Sequence, residues 1–178
     1  MANTYVKIAE YTLPTNAVAG SFTNIPQVYT DLSIYVTARG TNASGTNEIS
    51  YYFNNTATST YKRANFYFDY SASYGNGTTT GYTTTINNGL GNIPSGSATA
   101  GAFGGHSLLI SEYSSSTKIK TVLWSGETGT FSTTANAGYS FFGVGAWNST
   151  DPITSITFSG NSNYASGSTV TLYGISKS

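Results

Sequence analysis

The stretch Asp31-Leu32-Ser33-Ile34-Tyr35-Val36-Thr37-Ala38-Arg39 alternates without a break. Leu32, Ile34, Val36 and Ala38 fall on one side, and Asp31, Ser33, Tyr35, Thr37 and Arg39 on the other. Successive side chains of a β-strand point to opposite faces, so this period of two predicts a strand with one face in a core and one toward water. Such half-buried strands belong to antiparallel sheets. Glu48 to Asn54 repeats the pattern, with Ile49, Tyr51 and Phe53 facing one way. Asn65 to Tyr70 sets Phe66, Phe68 and Tyr70 against Asn65, Tyr67 and Asp69. Near the end, Val170 and Leu172 alternate with Thr171 and Tyr173 up to Ile175.

Working outward, further strands are expected over Thr4 to Thr12, Gly20 to Thr23, His106 to Tyr113, Ile119 to Trp124, Tyr139 to Trp147 and Ile153 to Ser159. Apolar residues rarely recur at the helical spacing, and Gly, Pro and Asn interrupt the chain too often for long helices. Roughly ten short strands separated by polar turns predict an all-β fold, a single antiparallel β-sandwich of jelly-roll or Greek-key type. One domain over residues 1–178 is expected, with the first strand starting so early that no N-terminal shaft is foreseen. Ser71 to Gly105 stands apart as rich in Gly, Thr, Ser and Asn. Only Gly81 to Ile86 and Leu90 to Ile93 read as strands there, and the rest reads as a long loop and a first place to look for a contact surface.

Composition narrows the function. Charged residues make up 8% of the 178, against a usual share of about 25%, whereas aromatic residues reach 15% and Tyr alone occurs 15 times. Seven basic and seven acidic residues cancel, which leaves no basic stripe for a phosphate backbone, so nucleic acid is not an expected partner. Lys62 and Arg63 are the only adjacent cations and read as a solvated strand or turn position. No stretch approaches the roughly 18 apolar residues of a membrane span, and the N-terminus lacks the basic and apolar regions of a signal peptide. Membrane insertion is not expected, and synthesis in a cytoplasm is.

Catalytic chemistry finds little to build on. His106 is the only histidine and there is no cysteine, so a two-histidine or HExxH metal site is reduced to a lone ligand, a thiolate metal site cannot be assembled, and any His-dependent triad would have to rest on His106 alone. His106 follows the glycines of Gly101-Ala102-Phe103-Gly104-Gly105 at a strand start, where a packed imidazole is the ordinary reading. Glu48, Glu112, Glu127, Asp69 and Asp151 could supply the facing carboxylates of a glycosidase only if the fold gathered them. No D-x-D spacing marks a calcium loop. Asn42, Asn54, Asn76 and Asn148 begin Asn-x-Ser/Thr triplets, which a chain this rich in those residues generates by chance. No catalytic, cofactor-binding or metal-ligating residue is therefore assigned. The feature that stands out is Tyr with Ser, Gly and Asn, a composition suited to contact: Tyr offers a rigid face with a polar tip, and the small residues adaptable hydrogen bonds.

Several pieces, taken together, carry a resemblance. They are Ser21 to Arg39, the run Gly96-Ser97-Ala98-Thr99-Ala100-Gly101-Ala102-Phe103-Gly104-Gly105, the strand ending Ile110-Ser111-Glu112-Tyr113, Lys120 to Gly126, Trp147 to Phe158, and Gly167 to Ile175. In this order the chain resembles, over nearly its whole length, a family of tailed-bacteriophage virion proteins found in head decorations and at fibre ends. The resemblance implies a β-sandwich structural or recognition module located in the virion, without catalytic residues. It implies as partners other virion proteins, the major capsid protein first among them, and self-association, for instance as a trimer. A head-decoration module is the first expectation. The alternative is a tail or fibre tip module that recognises a host surface glycan, for which Trp124 and Trp147 would be the stacking candidates, although their strand positions suggest burial instead.

Overall fold

The computed structural model describes residues 5–13, 17–43, 47–56, 60–69, 74–78, 86–129 and 138–176. Among them are twelve strands: β1 (Tyr5–Thr12), β2 (Ala17–Phe22), β3 (Asp31–Ala38), β4 (Asn47–Phe53), β5 (Tyr61–Asp69), β6 (Tyr74–Thr78), β7 (Ile86–Ile93), β8 (Gly104–Ser111), β9 (Lys120–Glu127), β10 (Tyr139–Trp147), β11 (Ile156–Tyr164) and β12 (Thr169–Ile175). They form two antiparallel sheets packed as a β-sandwich. The large sheet has eight strands in the order β1-β12-β3-β8-β9-β10-β5-β6, and the small one has four in the order β2-β11-β4-β7. Only the β5–β6, β8–β9 and β9–β10 connections stay within a sheet. The chain therefore stitches the two layers together repeatedly, and most core contacts are distant in sequence.

The alternating stretches bury the faces that their period predicts. Leu32, Ile34, Val36 and Ala38 on β3 are all within 2% of full burial, and Ile49, Tyr51 and Phe53 on β4, with Val170 and Leu172 on β12, are equally enclosed. Burying an aliphatic or aromatic side chain of this size is worth about 1.5–3 kcal/mol, which fixes the register, since a slip by one residue would turn each set out to water. At one end of the core the rings of Phe53, Tyr61 and Trp147 pack together, Tyr61 stacked on Trp147 at 6.3 Å and Phe53 edge-on to Trp147 at 5.6 Å.

Three expectations are corrected. Ser71 to Gly105 is less loop-like than its composition implies, because β6 and β7 both lie in it; the expected Gly81 to Ile86 strand falls almost wholly outside the described residues. Glycine there marks close packing between the sheets: Gly91, at φ +95°, leaves its Cβ position to the ring of Phe141. Secondly, β11 runs from Ile156, so Ile153 to Ser155 precede it. Ile153 is nonetheless buried, held by its N–H donating to the Tyr113 carbonyl at 2.9 Å. Thirdly, β5 alternates as expected, but Phe66 and Phe68 face outward and Asn65 is buried.

Polar side chains pin the loops. Asn54 has φ +51°, and its Oδ1 accepts from the N–H groups of Thr154 at 2.8 Å and Ser155 at 3.1 Å, while Nδ2 donates to the Pro152 carbonyl at 2.8 Å. Asn54→Ala removes these bonds, and a fourth from Thr154 Oγ1 at 3.2 Å, and places a Cβ residue without local hydrogen bonding in the left-handed region, so it should cost about 2–4 kcal/mol. Asn54→Gly relieves only the backbone and should recover about 1 kcal/mol of that, measured by urea unfolding. Arg39, at the end of β3, donates from its guanidinium to the carbonyls of Gly96, Ala98, Thr99 and Ala102 at 2.7–3.3 Å. The Gly96–Gly105 run quoted above is thus wrapped around one cation. Lys120, fully buried at the start of β9, donates to the carbonyls of Ser115, Lys118 and Thr150 at 2.6, 2.7 and 3.0 Å. Loss of hydration pulls its pKa below the ordinary lysine value, with the nearby charges of Asp151 and Glu112 pulling the other way.

Candidate functional site

The side of the large sheet that faces away from the core has an unusual lining. Strand register sets its residues in rows that run across the sheet. One row passes through Ser33, Leu109, Leu123, Val144 and Ala64, and the next through Tyr35, Ser107, Ser125, Phe142 and Phe66. Phe66 is 57% exposed, Phe68 58%, Phe142 49%, Val144 48% and Leu123 41%. With Tyr5 and Tyr35, seven of the nine large hydrophobic side chains exposed among the described residues lie on this one face; Val28 and Ile119 lie elsewhere.

The surface is shallow. A concavity of about 220 Å³ lies among Tyr5, Tyr35, Leu109, Leu123 and Phe142. A second of about 500 Å³ adjoins it across Val144, floored by Ala64, Ala146 and Thr121. At one side Tyr173 meets Tyr5 and Tyr35 edge-on, at 6.3 and 5.8 Å, which fixes the three rings as a ladder. Toward the centre the polar side chains are small, and two of them, Ser107 and Ser125, hydrogen-bond each other at 3.0 Å.

Charge is confined to the margin. Lys7 and Glu10 pair at 3.5 Å on the edge strand β1, Asp31 begins β3 and accepts from the Glu112 N–H at 2.8 Å, Lys62 is exposed near the start of β5, and Glu127 ends β9. An apolar centre with a polar rim is the anatomy of an association surface. Scattered exposed hydrophobics need no explanation, whereas a contiguous patch does.

The residues singled out for chemistry do not converge. His106 points into the sandwich at 4% exposure, its ring lying over Gly126 where a Cβ would leave it no room. Glu112 pairs with Lys118 at 3.0 Å in the turn after β8, and Asp151 accepts from Ser149 Oγ at 2.9 Å in the β10–β11 connection. Glu48 lies on β4 of the small sheet, whereas Glu127 ends β9 and Asp69 ends β5 of the large one. Among the described residues no three His, Asp or Glu side chains are grouped as a metal ion would require. No helix among them is long and apolar enough to cross a membrane. Lys62 and Arg63 part company: Lys62 is solvated, as expected, but Arg63 turns inward, bonds Asn65 Oδ1 at 2.9 Å and has its pKa lowered by burial.

Trp124 and Trp147 are 1% and 2% exposed, which bears out their expected burial and removes them as sugar platforms. Asn54 is committed to its turn, whereas Asn42, Asn76 and Asn148 are exposed. The outer face itself escapes sequence reasoning, although its signal, Phe66 and Phe68 two residues apart opposite a buried asparagine, is present in the chain. No family model, no curated protein and no solved structure matches this chain.

Proposed function

We propose that the chain is a bacteriophage virion structural protein that works by binding, as a decoration module on the assembled capsid with the major capsid protein as its partner there. The observation that carries a binding role is the outer face of the large sheet, where seven large apolar side chains stand in water and charge is held to the rim. Such a face stays soluble at low concentration and is stabilised by being covered. The virion assignment itself rests on the sequence resemblance. A tail-tip role in glycan recognition has less support, since both tryptophans are buried and most of the exposed side chains on this face are phenylalanine and aliphatic.

The test is a cryo-electron-microscopy reconstruction of the virion. The proposal expects many copies arrayed on the head. A few copies at the tail, or none in the particle, would refute it.

A further inference from the structure

We infer that the outer face of the large sheet is a homodimer interface, in which two copies pack face to face about a two-fold axis running along β9. The inference rests on the reading of this face as an association surface, and it makes a second copy, not the capsid, the occupant, so that a pair of modules meets the capsid by its other surfaces. The register makes the face self-complementary. An axis along β9 sets β8 against β10 of the second copy and β3 against its β5. In the rows defined by the strand pairing, Leu123 then meets its own counterpart, Leu109 meets Val144, and Tyr35 meets Phe66. At the margin the same operation brings Asp31 over Lys62, twice, so the rim charges are complementary where the apolar rows end.

From β3 to β5 the face spans four strand spacings, about 19 Å between the outer strand axes, and is four side-chain rows deep, which puts it at the smaller end of specific interfaces. An axis along the strands produces aligned sheet-on-sheet packing, the arrangement already used inside the sandwich. It also makes the contact isologous and closed, so the assembly stops at two and does not grow into a fibre. The inferred assembly is thus a two-fold pair, where the resemblance named a trimer as its example. Glu127 also falls on the axis, at its end, where the two carboxylates approach each other.

The chain has no cysteine, which permits a clean test. In sedimentation velocity over a concentration series the wild-type protein should run as a dimer at micromolar concentration. Leu123→Asp should raise the dissociation constant by a factor of about 100 or more, since a charge at the axis is buried twice, with the far-ultraviolet circular dichroism unchanged. Glu127→Gln should tighten the pair. In the wild-type background Leu123→Cys should be joined to its own copy by a short bis-maleimide, whereas Phe68→Cys alone should not, because Phe68 meets Thr37 of the second copy.

A protein that stays monomeric, or a dimer unaffected by Leu123→Asp, overturns the inference, as does equal cross-linking of the two cysteine variants. A monomer that nevertheless decorates particles would overturn the dimer and leave the virion reading intact. A dimer with this axis that never joins a particle would do the reverse.

Discussion

Raising the pH above 10 should unfold this protein cooperatively, before pH 12 is reached. Tyr51, Tyr61, Tyr113 and Tyr164 are all buried, and loss of hydration raises each phenol pKa, that of Tyr61 to about 12 and that of Tyr51 well above the ordinary value. In the unfolded chain these groups release their protons near pH 10. Between that value and the folded one the unfolded state holds fewer protons, so stability falls as pH rises. Their contribution is fully present below pH 10 and is lost above it, at up to about 1.4 kcal/mol per pH unit for each tyrosine.

Lys120 acts in the opposite sense, because its folded pKa is lowered and the unfolded state binds the extra proton just below 10.5. One group against four does not reverse the slope. The check is a titration that follows tyrosinate absorbance and near-ultraviolet circular dichroism together. Exposed tyrosines should titrate first, and the buried set should appear in one step with loss of the tertiary signal. Gradual titration of all 15 tyrosines with the signal retained would show that burial does not control them.

Trp147→Ala should be the most damaging single truncation, at about 3–5 kcal/mol. Trp147 is 2% exposed and is the largest ring of the aromatic cluster, packed against both Phe53 and Tyr61. Its removal also loosens Tyr61, whose Oη accepts from the buried Phe53 N–H at 2.8 Å and so ties β5 to the end of β4 in the opposite sheet. Phe142→Ala, on the same strand but on the outer face, should cost about 1 kcal/mol or less in the free chain. Urea unfolding of the two variants separates them. Comparable losses would mean that the outer face carries fold stability and is not held in reserve for a partner.

The difference between these two aromatic residues explains what the sequence could and could not disclose. A period of two tells which side chains share a face, and for β3 and β4 it also tells which face is inside, because Asp, Ser, Thr and Glu mark the other. On β5 and β10 both faces carry aromatic residues. Phe66 and Phe68 then look like core, and only Arg63 and Asn65, which pair with each other inside, show that they are not. Local composition misleads in a similar way at β6 and β7, where glycine reads as loop but makes room for a ring, Tyr67 of the neighbouring strand at Gly75 and Phe141 of the facing sheet at Gly91. The Gly96–Gly105 run stands out in the sequence as a motif, yet its partner Arg39 lies some sixty residues earlier in the chain, and only the fold brings the guanidinium to those carbonyls.

If the outer face of the large sheet is covered when the protein is at work, hydroxyl-radical footprinting of the assembled particle will show it, with Val28 and Ile119, exposed outside this face, as internal standards. Phe66, Leu123 and Phe142 should be oxidised far less than their exposure in the single chain implies, while Val28 and Ile119 react in proportion to theirs. Oxidation of Phe66, Leu123 and Phe142 in proportion to exposure would mean that the face stays open to water.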